Sequence, residues 1–428
     1  MSKQQDRPST TAVHAGEHPD PATGAREVPL YQTTSYSFDS ADDAAARYAL
    51  DSLDNIYSRI SNPTVSVLED RLAALHGATG AVATASGMAA LDAATFVLAD
   101  AGDNIVTAST IYGGTATYFR HAVDRRSVEP RFVDTLDYTA YEDAVDDQTA
   151  FVHLETIGNP ALVTPDIQRI ADIAHNAGAP LLVDNTFASP HLCRPLDHGA
   201  DAVWSSTTKW IHGGGTTVGG ILFDGGSFDW DANRYSEIGG ENRAYHDTSF
   251  ARDFSDAPLA AAARFRSVRT LGGCQSPIDA WLTLQGLETL PLRMNRHCEN
   301  AAIVAEYLAD HDAVAWVAYP GLEDHQTHEQ ASRYLDGGYG GMVSFGLEAG
   351  YEAGKRICES THLISFLANV GDVKSLIIHP ASTTHGQLTP DEQRAAGVPR
   401  DLVRLSVGTE DPADIIADLD QAIEAAIA

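Results

Sequence analysis

The chain has 428 residues, 43% of them hydrophobic, and carries a formal net charge of -31 at pH 7. That length calls for two or three compact units, the apolar fraction excludes a disordered chain, and the negative field repels nucleic acid and anionic membrane surfaces. Lys3, Lys209, Lys355 and Lys374 are the only lysines, so nearly all the positive charge is arginine. Such a carboxylate-rich surface reads as that of a plain soluble acidic protein or, the reading favoured here, as an adaptation to high salt, where screening relieves self-repulsion. No apolar run approaches the ~18 residues a membrane span needs, and the N-terminal stretch has no signal-peptide core, so a cytoplasmic protein is expected. Cys193, Cys274, Cys298 and Cys358 form no CxxC pair, which argues against a disulfide framework and a zinc site; no metal is expected.

Residues 1–60 show no regular periodicity and read as an arm that frays or packs on another surface, a second subunit among the candidates. Val65, Leu68, Leu72 and Leu75 then recur at helical spacing, with Pro63-Thr64 as the start and Gly77 as the stop. From Gly80 to Phe223 strands and helices alternate. AVATAS, DNIVTAS, EPRFVDT, TAFVHLET, PLLVDNT, ADAVWSS and VGGILFD are strand-like. SGMAALDAATFVLA, GGTATYFRHAVD and a segment opened by Thr164-Pro165 and closed by Gly178 are helix-like. That alternation predicts an α/β architecture, a mostly parallel sheet covered by helices, with ligands at the carboxyl ends of the strands. Thr156, Asp184 and Ser206 to Lys209 then converge. The polar, aromatic-spotted stretch 225–264 reads as an active-site insertion, an interface insertion or a long surface loop. Beyond it come one or two long helices broken near Pro291, the strand candidates AVAWVAYP, GMVSFGLE and LVRLSVG, and a final helix Pro412–Ile427. The expected plan is therefore an arm (1–60), a large domain (61–264) and a smaller α+β domain (265–428).

Chemistry concentrates in VWSSTTKWIHGGGTTVGG, Val203 to Gly220. A lysine at a strand end among hydroxyls and glycines has the surroundings of an amine that holds a phosphorylated aldehyde as an imine. Such a pyridine cofactor needs a carboxylate at its ring nitrogen, a flat cover for its face and amide donors for its phosphate. Asp184 ends an apolar strand, Tyr112 follows another, and Ser86-Gly87-Met88 opens a helix. Tyr57 and Arg59 can add to the phosphate site from a mobile arm, and Arg404 offers the bidentate clamp an amino-acid carboxylate requires. Each also has a plainer reading: a capped turn, a core tyrosine, a surface ion pair. Competing motifs fail, since the chain has no G-x-S-x-G, no G-x-G-x-x-G and no Walker loop.

Ten spaced segments carry a resemblance: HAGEHPDPATGAREVPLYQTTSYSF, NIYSRISNPT, ASGMAALDA, IYGGT, ETIGNP, VDNTFASP, SSTTKWI, LQGLETLPLRMNRHCENA, GDVKSLIIHPASTTH and VRLSVGTE. Nearly end to end, the chain resembles the Cys/Met-metabolism family of pyridoxal-phosphate-dependent enzymes, of the aspartate-aminotransferase-like fold type I. The branch it is most similar to is the O-acetylhomoserine sulfhydrylases.

The resemblance implies that Lys209 carries pyridoxal 5'-phosphate and shuttles protons, with Asp184 at the ring nitrogen and Tyr112 stacked on the ring. It implies that Gly87, Met88, Ser206 and Thr208 hold the phosphate, joined by Tyr57 and Arg59 of a neighbouring subunit. Asn159 is expected near cofactor and substrate, Ser375 and Arg404 at the substrate carboxylate, and the assembly as a homotetramer, a dimer of dimers. The implied reaction is γ-replacement of O-acetyl-L-homoserine with sulfide or a small thiol, giving homocysteine or methionine and acetate. The alternatives are cystathionine γ-synthase or γ-lyase chemistry, and a cofactor-free binding or scaffold protein, against which the pairing of Lys209 with Asp184 speaks. Gly114 stands where methionine γ-lyases have a cysteine, which speaks against lyase activity. Met88 stands where many sulfhydrylases have glutamine, and His212-Gly213-Gly214-Gly215 reorders the branch's glycine-histidine loop; both leave the acceptor open.

Overall fold

Seven apolar segments between residues 80 and 224 pair into one sheet in the computed structural model, which describes residues 7–428. They are β1 (Gly80–Thr84), β2 (Asn104–Ala108), β3 (Glu129–Val133), β4 (Thr149–Glu155), β5 (Leu181–Asp184), β6 (Ala202–Ser205) and β7 (Gly220–Asp224), in the spatial order β1-β7-β6-β5-β4-β2-β3. Only β7 is reversed, antiparallel to both β6 and β1; the other neighbours run parallel. Every residue of β2, β4, β5, β6 and β7 is buried, as a sheet covered on both faces requires. Register sets Glu155 directly beside Asp184, so two acids that end apolar strands become neighbours.

The helices begin and end where backbone donors and acceptors find partners. Pro63–His76 starts on Asn62, whose side chain accepts from Thr64 N, and stops at Gly77, where φ is +70°. Helix Gly87–Leu98 starts on Ser86, whose hydroxyl accepts from Ala89 N at 3.1 Å. The helix expected to open at Thr164-Pro165 begins instead at Ile167. Thr164 N is taken by the Thr327 hydroxyl at 3.0 Å, and the Asp166 side chain is the cap, accepting from Arg169 N. The long helical stretch splits into Pro277–Leu287 and Leu290–Ala309, with Pro291 in the first turn of the second, where its missing N–H costs nothing.

A second sheet contains β8 (Val314–Ala318), β9 (Met342–Leu347), β10 (Ser365–Phe366), β11 (Leu376–Ile378) and β12 (Leu402–Ser406), in the order β10-β11-β12-β9-β8. Helices Gly350–Ser360 and Pro412–Ile427 pack against each other and lie in its core. β10 and β11 have no sequence signature because two or three residues cannot show a period; they exist by pairing next to β12. Helix Leu290–Ala309 links the two cores, giving Leu290, Met294 and Cys298 to the first and Ala301, Val304 and Leu308 to the second.

Two regions depart from expectation. Residues 7–60 include helices Pro8–His14 and Ala41–Ala49, the latter capped by the Ser40 hydroxyl. The start of this region is tied down by Arg71, fully buried, which reaches Glu17 at 2.6 Å and the Ala15 carbonyl at 3.0 Å. The stretch 225–264 does not line this chain's own cavity. Trp230, Tyr235 and Ile238 are buried, and the Tyr235 hydroxyl donates to Ala150 O at 3.1 Å, at the amino end of β4 and so away from the edge where the strands' carboxyl ends converge.

Candidate active site

Where the carboxyl ends of β1, β2, β4, β5 and β6 meet the second sheet, the chain encloses a cavity of about 530 Å³. Gly87 and Met88 come to it from the helix after β1, Tyr112 from the loop after β2, Glu155 and Asp184 from the ends of β4 and β5, and Lys209 from the turn after β6. The far wall is Asn369 and Arg404, the latter on β12.

The turn carrying Lys209 is built by its glycines. Gly213 has φ +73°, and a Cβ there would stand 2.1 Å from the Arg293 guanidinium. Freed of that clash, Arg293 caps the turn, donating to the carbonyls of Trp210 at 2.7 Å and Ile211 at 3.0 Å. His212 turns away from the cavity, its Nε2 paired with the Thr216 hydroxyl at 2.8 Å. The loop is tied to its neighbours by Ser206 N, which donates to the Thr186 hydroxyl at 2.9 Å, and by Thr208, whose hydroxyl bonds both Gly219 N (3.0 Å) and Gly219 O (3.2 Å). At the helix start a Cβ on Gly87 would meet the Ser206 Cβ at 2.8 Å, so glycine is what lets the two segments approach. The first amides of that helix have no intrahelical acceptor and point toward the cavity end of the axis.

Burial dominates the electrostatics. It takes the Lys209 amine from 10.5 to about 8, with the charge of Arg404 adding to the effect, and Lys209 Nζ donates to Asn369 Oδ1 at 2.5 Å. It pushes Asp184 up to about 7, though Thr186 N donates to its Oδ1 at 2.8 Å. Glu155 is pushed up by burial and by the charge of Asp184 beside it. Arg404 is 7% exposed and drawn down to about 10, and its Nη1 meets a neutral amide, Asn159 Oδ1, at 2.9 Å. A buried guanidinium held by an amide rather than a carboxylate is a ready anion site.

Of the residues singled out in the sequence, Gly87, Met88, Tyr112, Asn159 and Asp184 line the cavity, as do Ser206, Thr208, Lys209 and Arg404. Three do not. Ser375 is buried with its hydroxyl donating to Glu410 Oε2 at 3.0 Å and accepting from Gly408 N at 2.9 Å, so it is used up behind the wall. Tyr57 and Arg59 lie apart, the guanidinium 5.2 Å over the tyrosine ring and bonded to the Arg269 carbonyl. Glu155, Asn369 and His385 line the cavity and were not foreseen. Glu155 carried the same signal as Asp184, an acid closing an apolar strand. Asn369 and His385 sit in loops whose local sequence says nothing of direction.

The donor set suits one kind of guest: a flat cationic heterocycle with a carbonyl for the amine, a ring nitrogen for Asp184 and an anionic tail for the helix start. Such a guest also offers a cation to two neighbouring buried carboxylates. Pyridoxal phosphate has each of these features.

The family model described as Cys/Met metabolism PLP-dependent enzyme matches residues 9–424. The chain is 47% identical to the homocysteine synthase of Schizosaccharomyces pombe, with 100% of both chains covered. It is 44% identical to the O-acetyl-L-homoserine sulfhydrylase of Leptospira meyeri, over 98% of this chain and 97% of that protein. Among solved structures, a putative O-acetylhomoserine (thiol)-lyase from Campylobacter jejuni superposes with a TM-score of 0.94 at 39% identity, covering 98% of this chain and 100% of that one; it contains N'-pyridoxyl-lysine-5'-monophosphate. The chain therefore belongs to the Cys/Met-metabolism family of PLP-dependent enzymes, and pyridoxal phosphate is its cofactor.

Proposed function

We propose that the enzyme catalyses γ-replacement, converting O-acetyl-L-homoserine and sulfide, or a small thiol, to L-homocysteine, or methionine with methanethiol, and acetate. The observation that carries this reading is the pairing within one cavity of an amine of lowered basicity, Lys209, with a buried guanidinium free of carboxylate, Arg404. Full-length likeness to a homocysteine synthase supports the same substrate class.

Bound in the cavity, pyridoxal phosphate supplies an electron sink for charge released on the substrate carbons. Lys209 Nζ holds the cofactor and, once displaced by the substrate amine, moves protons at the substrate's α carbon. Asp184 keeps the ring nitrogen protonated, and the ring of Tyr112 covers its face. The amides of Gly87 and Met88 and the hydroxyls of Ser206 and Thr208 receive the phosphate. Arg404, oriented by Asn159, takes the substrate carboxylate; Ser375 contributes from behind by holding Glu410 and Gly408. On the family resemblance we assign Tyr57 and Arg59 of a neighbouring subunit to the phosphate end, in a homotetramer built as a dimer of dimers; among the described residues, Lys209 and Arg404 are the only lysine or arginine side chains on this chain's cavity wall. The arm 1–60, a cofactor-binding unit 61–264 and a C-terminal unit 265–428 are the corresponding division. The setting is a cytoplasm of high salt.

The test is homocysteine formation from O-acetyl-L-homoserine with sulfide, with cysteine and with no thiol. Product with sulfide alone, lost in Lys209→Ala, is expected. Cystathionine formed from cysteine, or 2-oxobutyrate released without a thiol, would move the assignment to the synthase or lyase reading.

A further inference from the structure

Glu155 has no part in the reaction as drawn above, yet it lies at the cavity floor, 5% exposed, with both carboxylate oxygens engaged. Oε1 accepts from Tyr112 N at 2.6 Å, and Oε2 accepts from Asn159 N at 3.0 Å. The two donors belong to loops leaving neighbouring strands, β2 and β4. Tyr112 is 46% exposed, and its peptide N–H is anchored by this acid. The Asn159 side chain continues the chain of contacts to Arg404. One carboxylate thus stands at the root of the ring cover and of the anion site.

Its presence is costly. A second buried acid next to Asp184, which it faces in strict register, is unfavourable beside a neutral side chain of the same shape. Two N–H donors at 2.6 and 3.0 Å call for an acceptor at each oxygen, which a carboxyl group offers and a carboxamide does not. Glutamine would turn an NH₂ group on one of them.

We infer that Glu155 is a positioning residue whose two carboxyl oxygens pin the backbone N–H groups of Tyr112 and Asn159, setting the tyrosine over the cofactor ring and the Asn159–Arg404 pair beside it. The inference rests on the reading of this cavity as the pyridoxal phosphate site.

The experiment compares wild type with the isosteric Glu155→Gln by pyridoxal phosphate affinity of the apoprotein and by visible circular dichroism of the bound cofactor. Loss of one of the two hydrogen bonds, with an NH₂ group turned on its donor, predicts affinity weaker by about tenfold or more, with a changed dichroic band. Hydrogen exchange at the Tyr112 and Asn159 amides of the wild-type apoprotein, expected as slow as that of the β4 ladder, decides the matter even where the variant fails to fold. A variant that binds the cofactor within about twofold of wild type with an unchanged dichroic band overturns the inference, as does fast exchange at either wild-type amide. Wild type that takes up no pyridoxal phosphate would instead overturn the cofactor assignment itself.

Discussion

Enclosure of Lys209 makes a quantitative prediction about an amine. Burial first, and the nearby charge of Arg404 second, bring it from 10.5 to about 8. At pH 7.5 a lysine with that value is about one quarter neutral, against about one part in a thousand for an ordinary lysine, so the nucleophilic form is enriched about 200-fold. The neutral form exists above the pKa, so covalent uptake of pyridoxal phosphate by the apoprotein should rise with pH through about 8 and then level. The assay follows the visible band after mixing across about pH 6 to 11, referenced to N-acetyl-lysine under the same conditions, with reductive trapping to identify the modified peptide. Arg404→Gln should raise the midpoint by less than burial lowers it, since Arg404 is the smaller cause. A wild-type midpoint near 10.5 would refute the reasoning, because it would mean that the amine is hydrated and the cavity wall misdrawn.

Other outcomes follow from single contacts. Arg404→Lys replaces a planar fork with a point charge and should raise KM for O-acetyl-L-homoserine by about 10- to 100-fold while leaving the cofactor band in place; an unchanged KM in steady-state kinetics contradicts the carboxylate assignment. Gly87→Ala places a Cβ 2.8 Å from the Ser206 Cβ and 3.0 Å from its Cα. The helix start must shift, and equilibrium dialysis should show pyridoxal phosphate affinity down by about tenfold, with no loss expected if the phosphate lies elsewhere. Glu17→Ala strips a fully buried Arg71 of its 2.6 Å partner, and urea unfolding should register a loss of about 3–5 kcal/mol; a change under about 1 kcal/mol would remove the pair from the stability argument. With a net charge of -31, the thermal midpoint should climb as potassium chloride is raised toward molar concentration, and a flat response would remove the high-salt reading.

Much of the architecture was legible because it is written locally. Apolar runs such as TAFVHLE and LLVD become fully buried strands, and Leu68 and Leu72, four apart, turn inward together. Gly77 and Gly178 end their helices at positive φ. The final helix has the bounds that Pro412 and the apolar spacing predict. Helix Ala41–Ala49 was legible and missed, since Ser40 followed by Asp43 is a cap signal in an otherwise unpatterned arm. The short β10 and β11 were not legible at all, for their pairing partners supply the order that their length cannot.

The site divides along the same line. Residue chemistry alone marked Lys209, Asp184 and Gly87, because each sits at a strand end or helix start where backbone geometry dictates direction. Ser375 carried an attractive motif, yet the fold spends its hydroxyl on Glu410. Composition, period and punctuation determined which segments form strands and helices and which chemistry the chain carries. Only the tertiary structure decided that Asn369 meets Lys209 from 160 residues away and Arg404 meets Asn159 from 245. Contacts at such separation depend on how sheets and loops pack in three dimensions, and no local pattern of the chain encodes where a loop finally points.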